Sequence, residues 1–163
     1  MNKIKTVLII LLNIVIQSTI LSRFSLFGVH ENLSIPIVVA LAIGFGAYTG
    51  GFSGLVIGLI EDILFSPVIG MRALIYFVLG FLIGSSEAGI NKEDIRSGII
   101  FTILGTIFYL IVYYIIGYLI GINISFKEYL FGPIFLEMLY NSIIYIFVFK
   151  IFNRVYDFPR FRL

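Results

Sequence analysis

Long apolar stretches separated by short polar ones dominate the pattern along the chain. An α-helix needs about 20 mainly apolar residues to cross the hydrocarbon core of a bilayer, and shorter helices are tolerated inside a bundle. The pattern therefore predicts an all-α integral membrane protein, a compact bundle of six transmembrane helices forming a single domain over residues 1–163. The predicted segments are Ile4–Leu21, Leu33–Tyr48, Phe52–Phe65, Ala73–Ser85, Gly98–Ile120 and Tyr129–Phe152. The third and fourth are short and glycine-rich, so a re-entrant or kinked segment is the alternative there.

The composition indicates that lipid, rather than water, surrounds most of this chain. It is 60% hydrophobic and 12% charged, whereas soluble domains carry about a quarter of charged residues. Cysteine is absent, which excludes disulfides, thiolate nucleophiles and zinc sites built on sulfur. The net charge of +2 does not indicate a nucleic-acid partner, because basic residues that flank membrane helices produce the same balance.

The positions of lysine and arginine predict the orientation, because cytoplasmic loops near span ends carry the excess of positive charge. With six spans and a cytoplasmic N-terminus, eight of the eleven basic residues lie inside and three outside, so both termini are expected in the cytoplasm. The inner set is Lys3, Lys5, Lys92, Arg96, Lys150, Arg154, Arg160 and Arg162, and the outer set is Arg23, Arg72 and Lys127.

Glycines recur every four residues through the second and third segments. Gly46, Gly50, Gly54 and Gly58 follow this spacing, and the fourth segment adds Gly80 and Gly84. Such spacing lets helix backbones approach closely in lipid. Two interpretations stay open, namely packing inside the bundle and a groove that docks the membrane helix of a partner. The Gly50-Gly51 pair is expected to turn the chain between two helices.

Asp62 is the ionisable residue that the helical spacing places on a packed face. It follows Gly58 by four residues and Gly54 by eight, so it shares their face and is expected to point into protein. Glu61 is rotated about 100° away from that face. Arg72 is the predicted counter-ion of Asp62, in a pair that pins the hairpin, and an intramembrane functional site is the alternative.

Polar residues also occur inside the first and last segments. Asn13 and Gln17 form an i, i+4 pair on the first, and Glu137 and Asn141 form another on the last. Counting the rise along each helix places the two pairs at similar depth. We therefore expect an interhelical ladder in which Gln17 meets Glu137 and Asn13 meets Asn141.

Other candidate chemistry is sparse. His30 and Glu31 are too few ligands for zinc and have no nucleophile to activate. We therefore expect no metal, no cofactor and no enzymatic activity. The basic C-terminus, Lys150–Arg162, suits an anionic membrane surface, with contact to a filament as the sharper alternative.

One segment resembles a known family. Gly54–Leu64, followed by Ser66-Pro67, Gly70, Ala73-Leu74, Tyr76, Gly80 and Gly84, is similar to the central pattern of the rod-shape-determining MreD family. Gln17-Ser18-Thr19, Pro133 and Asn141 extend the resemblance over nearly the whole chain. His30-Glu31-Asn32 departs from the proline and the acidic or amide residue usual in the first outer loop of the family.

The resemblance implies a non-catalytic subunit of the cell-wall elongation machinery in the bacterial inner membrane. Its expected partners are the bitopic MreC, the actin-like MreB filament, and the peptidoglycan glycosyltransferase and transpeptidase. The resemblance also implies a helical architecture shared with the substrate-binding subunits of energy-coupling-factor transporters.

A membrane substrate-binding subunit for a small vitamin-like solute is therefore the alternative function. The first helix weakens that alternative, because it contains no alanine or glycine for docking a coupling subunit.

Overall fold

A computed structural model describes residues 3–21, 32–86, 92, 94–122 and 134–156. Within these ranges the chain forms six α-helices and no strand, which confirms the all-α fold class. The helices are α1 (Lys3–Ile16), α2 (Ser34–Phe45), α3 (Ala47–Phe65), α4 (Met71–Ser85), α5 (Ile95–Leu119) and α6 (Ile134–Val155). A π-helical turn, Gln17–Leu21, continues α1.

Helix α2 is the centre of the bundle. Its sequence is apolar on every side, the pattern of a helix that is buried all round, and every residue from Ser34 to Gly44 is buried. It packs against α3, α4, α5 and α6. At 12 residues it is about 18 Å long, well short of a bilayer core of about 30 Å. At least one of its ends therefore lies within the depth of the bilayer core and needs polar partners inside the protein.

Among the residues that the structure describes, three helices are long and apolar enough to cross a membrane by length and composition, namely α3, α5 and α6. The sequence-based expectation that the third segment is short is wrong, because α3 begins at Ala47 and runs for 19 residues. The short apolar helices are α2 and α4, together with the segment Ile4–Thr19. The fourth segment is one continuous helix of 15 residues.

Two glycines in the left-handed region set the turns on either side of α3. Gly46 has a φ of 84° and separates α2 from α3, so the turn expected at Gly50-Gly51 is wrong, since both residues lie within α3. Gly70 has a φ of 100° and precedes α4. A side chain at either position would be strained, because L-residues rarely adopt positive φ.

Helices α3 and α4 form the most extensive helix pair of the fold. A Cβ atom on Gly54 would overlap the Tyr76 carbonyl, and one on Gly58 would overlap the backbone of Ala73. Nearer the other end of α3, Gly50 faces Gly80, and Gly84 faces the backbone of Ala47. The glycine faces are therefore filled by the neighbouring helix within the same chain.

Helix α1 lies at the edge of the bundle. Its outer face is apolar and more than half exposed, as expected of side chains in contact with lipid. The residues of that face are Ile4, Val7, Leu8, Leu11, Leu12 and Val15. The inner face carries Thr6, Ile10 and Asn13, all buried. Two of these three are polar, so hydrogen bonds hold much of α1 to the bundle.

Candidate functional site

The carboxylate of Glu61 lies at the centre of a buried polar cluster. Glu61 is 1% exposed and accepts hydrogen bonds from the hydroxyls of Ser34, to Oε1, and of Tyr76, to Oε2 at 3.1 Å. Arg72 Nη1 lies 3.6 Å from Oε2 and forms an ion pair with it. Donors from two other helices, α2 and α4, thus surround one charge on α3. A buried carboxylate is tolerated only with such compensation.

The N-terminus of α2 provides the second part of the cluster. Asn32 Oδ1 accepts the backbone N–H groups of Ser34 and Ile35 at 3.1 and 3.3 Å, which is the role of a helix N-cap. Its Nδ2 donates to the Tyr76 hydroxyl at 2.7 Å. Its backbone N–H donates to Asn141 Oδ1 at 3.3 Å. One residue thereby links α2 to α4 and α6.

Helices α1, α5 and α6 and the π-helical turn after α1 join the cluster through amide side chains and the Thr106 hydroxyl. Asn13 Nδ2 donates to Ser34 Oγ at 2.8 Å, and Gln17 Oε1 accepts from the Leu33 N–H at 3.1 Å. Asn141 Nδ2 donates to Thr106 Oγ1 on α5 at 3.0 Å. We call the whole set the buried polar network: Asn13, Gln17, Asn32, Ser34, Glu61, Arg72, Tyr76, Thr106 and Asn141. Its hydrogen bonds connect all six helices.

Asp62 lies beside this network and caps α4. It is fully buried, on the face that the glycine spacing predicts. Its Oδ2 accepts the backbone N–H groups of Gly70, Arg72 and Ala73 at 2.9, 2.9 and 3.2 Å. The first N–H groups of a helix have no partner within the helix, and an anion there is favoured by the helix dipole. Asp62 therefore fixes the α3–α4 turn through backbone groups.

The predicted ion pair between Asp62 and Arg72 is wrong. The guanidinium of Arg72 pairs with Glu61, and only the backbone N–H of Arg72 reaches Asp62. The prediction failed because α3 is buried on two sides, one against α4 and the other against α2. The rotation of about 100° that appeared to turn Glu61 away from protein instead directs it to Ser34 on α2.

The predicted ladder between the first and last helices is also wrong. Asn13 bonds to Ser34 and Asn141 to Thr106 and Asn32, so the α2 N-terminus takes the place of a direct contact. Gln17 bonds to the Leu33 backbone. Glu137 is half-buried in the first turn of α6. Of the described hydrogen bonds and ion pairs, none involves it.

The structure adds residues that the sequence pattern did not single out as a site. Glu61, Asn32, Ser34, Tyr76 and Thr106 belong to the buried polar network. Asn32 and Ser34 could have been recognised as capping residues from the sequence, because they stand just before an apolar run, where N-caps occur. His30 and Glu31 lie outside the described residues, as do Pro133 and the C-terminal Arg160 and Arg162.

The arrangement favours holding helices over bond chemistry. Hydroxyl donors and the Arg72 ion pair satisfy the Glu61 carboxylate, and backbone donors satisfy one oxygen of Asp62. In the part of the chain that the structure describes, no group of three His, Asp or Glu side chains could hold a metal ion. The network thus joins the helices through hydrogen bonds, which is the role that buried polar side chains have in membrane bundles.

Comparison with known proteins identifies the family of this chain. The family model described as rod shape-determining protein MreD matches residues 2–155. No curated protein and no solved structure matches the chain, and the architecture shared with energy-coupling-factor subunits stays a prediction. The match covers almost the whole chain, including every residue of the buried polar network, and it agrees with the resemblance that runs from Gly54 to Gly84. The chain belongs to the MreD family of rod shape-determining membrane proteins.

Proposed function

We propose that this protein is a non-catalytic scaffold subunit of the bacterial cell-wall elongation complex. It holds a bitopic MreC-like protein, an MreB-like filament, and the peptidoglycan glycosyltransferase and transpeptidase in one assembly. Membership of a shape-determining family supports the biological setting. The proposed location is the cytoplasmic membrane.

The observation that carries the scaffold role is the way the buried polar network is satisfied. Glu61 has hydroxyl donors on both oxygens and a cation beside it, while Asp62 accepts three backbone N–H groups. The donors to both carboxylates come from the neighbouring helices and from the turn before α4, within the protein itself. Both carboxylates fix the relative positions of α2, α3 and α4. A rigid bundle with constant outer faces is what a scaffold needs.

The orientation that we propose has both termini in the cytoplasm. Lys5 Nζ donates to the Val155 carbonyl at 2.7 Å, and the hydroxyls of Thr6 and Tyr156 are hydrogen-bonded at 2.9 Å. The beginning of α1 and the end of α6 therefore lie at the same end of the bundle. Lys92 Nζ donates to the Gly44 carbonyl at the end of α2 at 3.2 Å. A lysine ammonium group is attracted electrostatically to the C-terminus of a helix. Lysines at this end of the bundle also supply the positive charge expected of a cytoplasmic face.

Detergent co-purification tests the scaffold role. The tagged full-length protein should recover a bitopic partner and the wall synthases, identified by mass spectrometry. Gly54→Leu should lose them, because the α3–α4 contact opens, whereas Val56→Leu on the exposed side of α3 should keep them. Recovery of a stoichiometric small solute without protein partners would contradict the scaffold and support a transport subunit.

Thiol labelling tests the orientation, with a clean background because the chain has no cysteine. Cysteines placed beside Lys92 and after Arg160 should be shielded from an impermeant reagent in intact cells. A cysteine beside His30 should be labelled. Labelling of the C-terminal site in sealed cells would contradict the proposed topology.

A further inference from the structure

A groove of about 290 Å³ runs between α4 and α5 and is open on its outer side. Its lining includes Leu79, Leu82 and Ser86 from the end of α4, and Leu104, Gly105 and Phe108 from α5. Leu82 and Leu104 border the opening, and each is 54% exposed. Because exposed apolar side chains of both helices surround it, the groove faces lipid.

Gly105 forms the floor of this α4–α5 groove. A Cβ atom at this position would lie 3.3 Å from the Leu79 side chain and 3.4 Å from that of Ile35 on α2. The missing side chain therefore leaves a gap that reaches down to the central helix. Atoms that line an empty gap lose van der Waals contacts, and such contacts hold helices together in lipid. A filled groove is therefore more stable than an empty one.

The groove is long and narrow. It extends along residues 79–86 on one side and residues 101–108 on the other, and a step of seven residues is about 10 Å. A volume of about 290 Å³ over this length gives a mean cross-section of about 29 Å², or a width of about 6 Å. An α-helix with its side chains is about 10–12 Å wide. The groove is therefore too narrow for a helix but wide enough for a single hydrocarbon chain.

The lining of the groove selects an apolar occupant. Of the eight residues that line it, none is charged, and Ser86 has the one polar side chain. Ser86 directly follows the last residue of α4, Ser85, so the polar end of the groove lies where α4 ends. A protein partner would need more surface, since a specific interface uses about 20–30 residues on each side. A molecule with an apolar chain and a polar end complements the groove.

We propose that the α4–α5 groove binds one acyl chain of a membrane phospholipid. The chain enters beside Ser86, where α4 ends, and lies against Leu79 and Phe108 at its inner end. Lipid tails are as apolar as leucine, so the fit to fixed walls, and not hydrophobicity alone, holds the bound chain. This site is independent of the scaffold role, because it assigns a lipid and not a protein partner.

Native mass spectrometry of the purified full-length protein in dodecyl maltoside tests the site. The detergent supplies an excess of competing alkyl chains, and we expect one phospholipid to stay bound to each protein. Phosphatidylethanolamine and phosphatidylglycerol at equal concentration should be retained equally, because the lining has no charged group to recognise a headgroup. Complete loss of phospholipid to the detergent, or retention of one headgroup class alone, would overturn the proposal.

Two tryptophan variants locate the site. Leu104→Trp places a large ring in the groove from its exposed border and should lower phospholipid retention roughly tenfold, because the ring takes the place of the chain. Ile100→Trp is the matched control, since Ile100 lies one turn earlier on α5, is 56% exposed and does not line the groove. It should retain phospholipid as the parent protein does. Equal retention by the two variants would overturn the proposal.

Gly105→Leu fills the groove from its floor and should also release the phospholipid. Unfolding in mixed micelles shows whether this variant is folded, and Leu104→Trp, which changes an exposed side chain, decides the matter if it is not. A folded Gly105→Leu protein that keeps its phospholipid would contradict the site. Loss of co-purifying proteins from Leu104→Trp with phospholipid retention unchanged would also overturn the proposal, since the groove would then belong to a protein partner.

Discussion

The α3–α4 hairpin and helix α1 are held to the bundle in different ways. In the hairpin, Gly54 and Gly58 bring two backbones into direct contact over several turns. Helix α1 and the π-helical turn after it instead contribute polar side chains, with Thr6, Asn13 and Gln17 each bonded to another part of the chain. The apolar residues of α1 mostly face outward.

This difference in packing follows from the lipid that surrounds the helices. In lipid there is no hydrophobic drive between apolar helices, so association depends on close van der Waals packing and on hydrogen bonds. Packing through glycines supplies many contacts at once, whereas each membrane hydrogen bond contributes only about 0.6 kcal/mol on average. The hairpin is therefore expected to be the stable part of the bundle, and α1 the part that separates most easily.

The largest loss of stability is expected from placing a side chain in the glycine contact between α3 and α4. Gly54→Leu places a side chain against the Tyr76 carbonyl, and overpacking of this kind costs about 1–3 kcal/mol or more. Unfolding in mixed micelles should show this loss, while Val56→Leu on the exposed side of α3 should change little. A Gly54→Leu protein as stable as the Val56→Leu control would contradict the close contact.

An intermediate effect is expected from Asp62→Ala, which removes the cap of α4. Loss of an N-cap costs about 0.5–2 kcal/mol. Asp62→Asn should be milder, because its amide oxygen still accepts from the Gly70 and Arg72 N–H groups. Unfolding free energies of the two variants check the order. If Asp62→Ala keeps full stability yet loses its partners, the acid has a direct role in binding.

The smallest effects are expected in α1. Thr6→Val removes the hydrogen bond to Tyr156 and Asn13→Leu the one to Ser34, and each such bond contributes about 0.6 kcal/mol. The sites are seven residues apart on α1, about 10 Å, so the two losses should add. Unfolding of the single and double variants measures this. A loss in either single variant as large as that of Gly54→Leu would mean that α1 is part of the rigid core.

Much of the fold could be predicted from the sequence, because apolar run length decides where membrane helices form. Helical spacing placed Gly54, Gly58 and Asp62 on one face and predicted the burial of Asp62, but it left open whether that face packs within the chain or docks a partner. Glu61 could not be found in this way, since α3 has buried faces toward both α2 and α4. Spacing identifies one face of a helix, but it does not reveal how many neighbours the helix has.

The error over the first and last helices has a similar cause. Counting the rise along the helices compares depth across the membrane but gives no information about which helices are neighbours. Asn13 and Asn141 are both bonded to the α2 N-terminus, through Ser34 and Asn32 respectively. The short length of α2, which places its first residues inside the bundle, was the feature that sequence reasoning underestimated.

A double-mutant cycle at Glu61 and Arg72 tests the scaffold role most directly. Glu61→Gln alone leaves the Arg72 charge without its partner and should destabilise the bundle, whereas Glu61→Gln with Arg72→Gln removes both charges and should restore most of the stability. Rod-shape complementation and partner recovery should then follow stability, so that the double variant works nearly as well as the parent protein. A double variant that is stable and present at normal levels but fails to restore rod shape would contradict the scaffold, because the Glu61 carboxylate would then be needed for more than holding the helices.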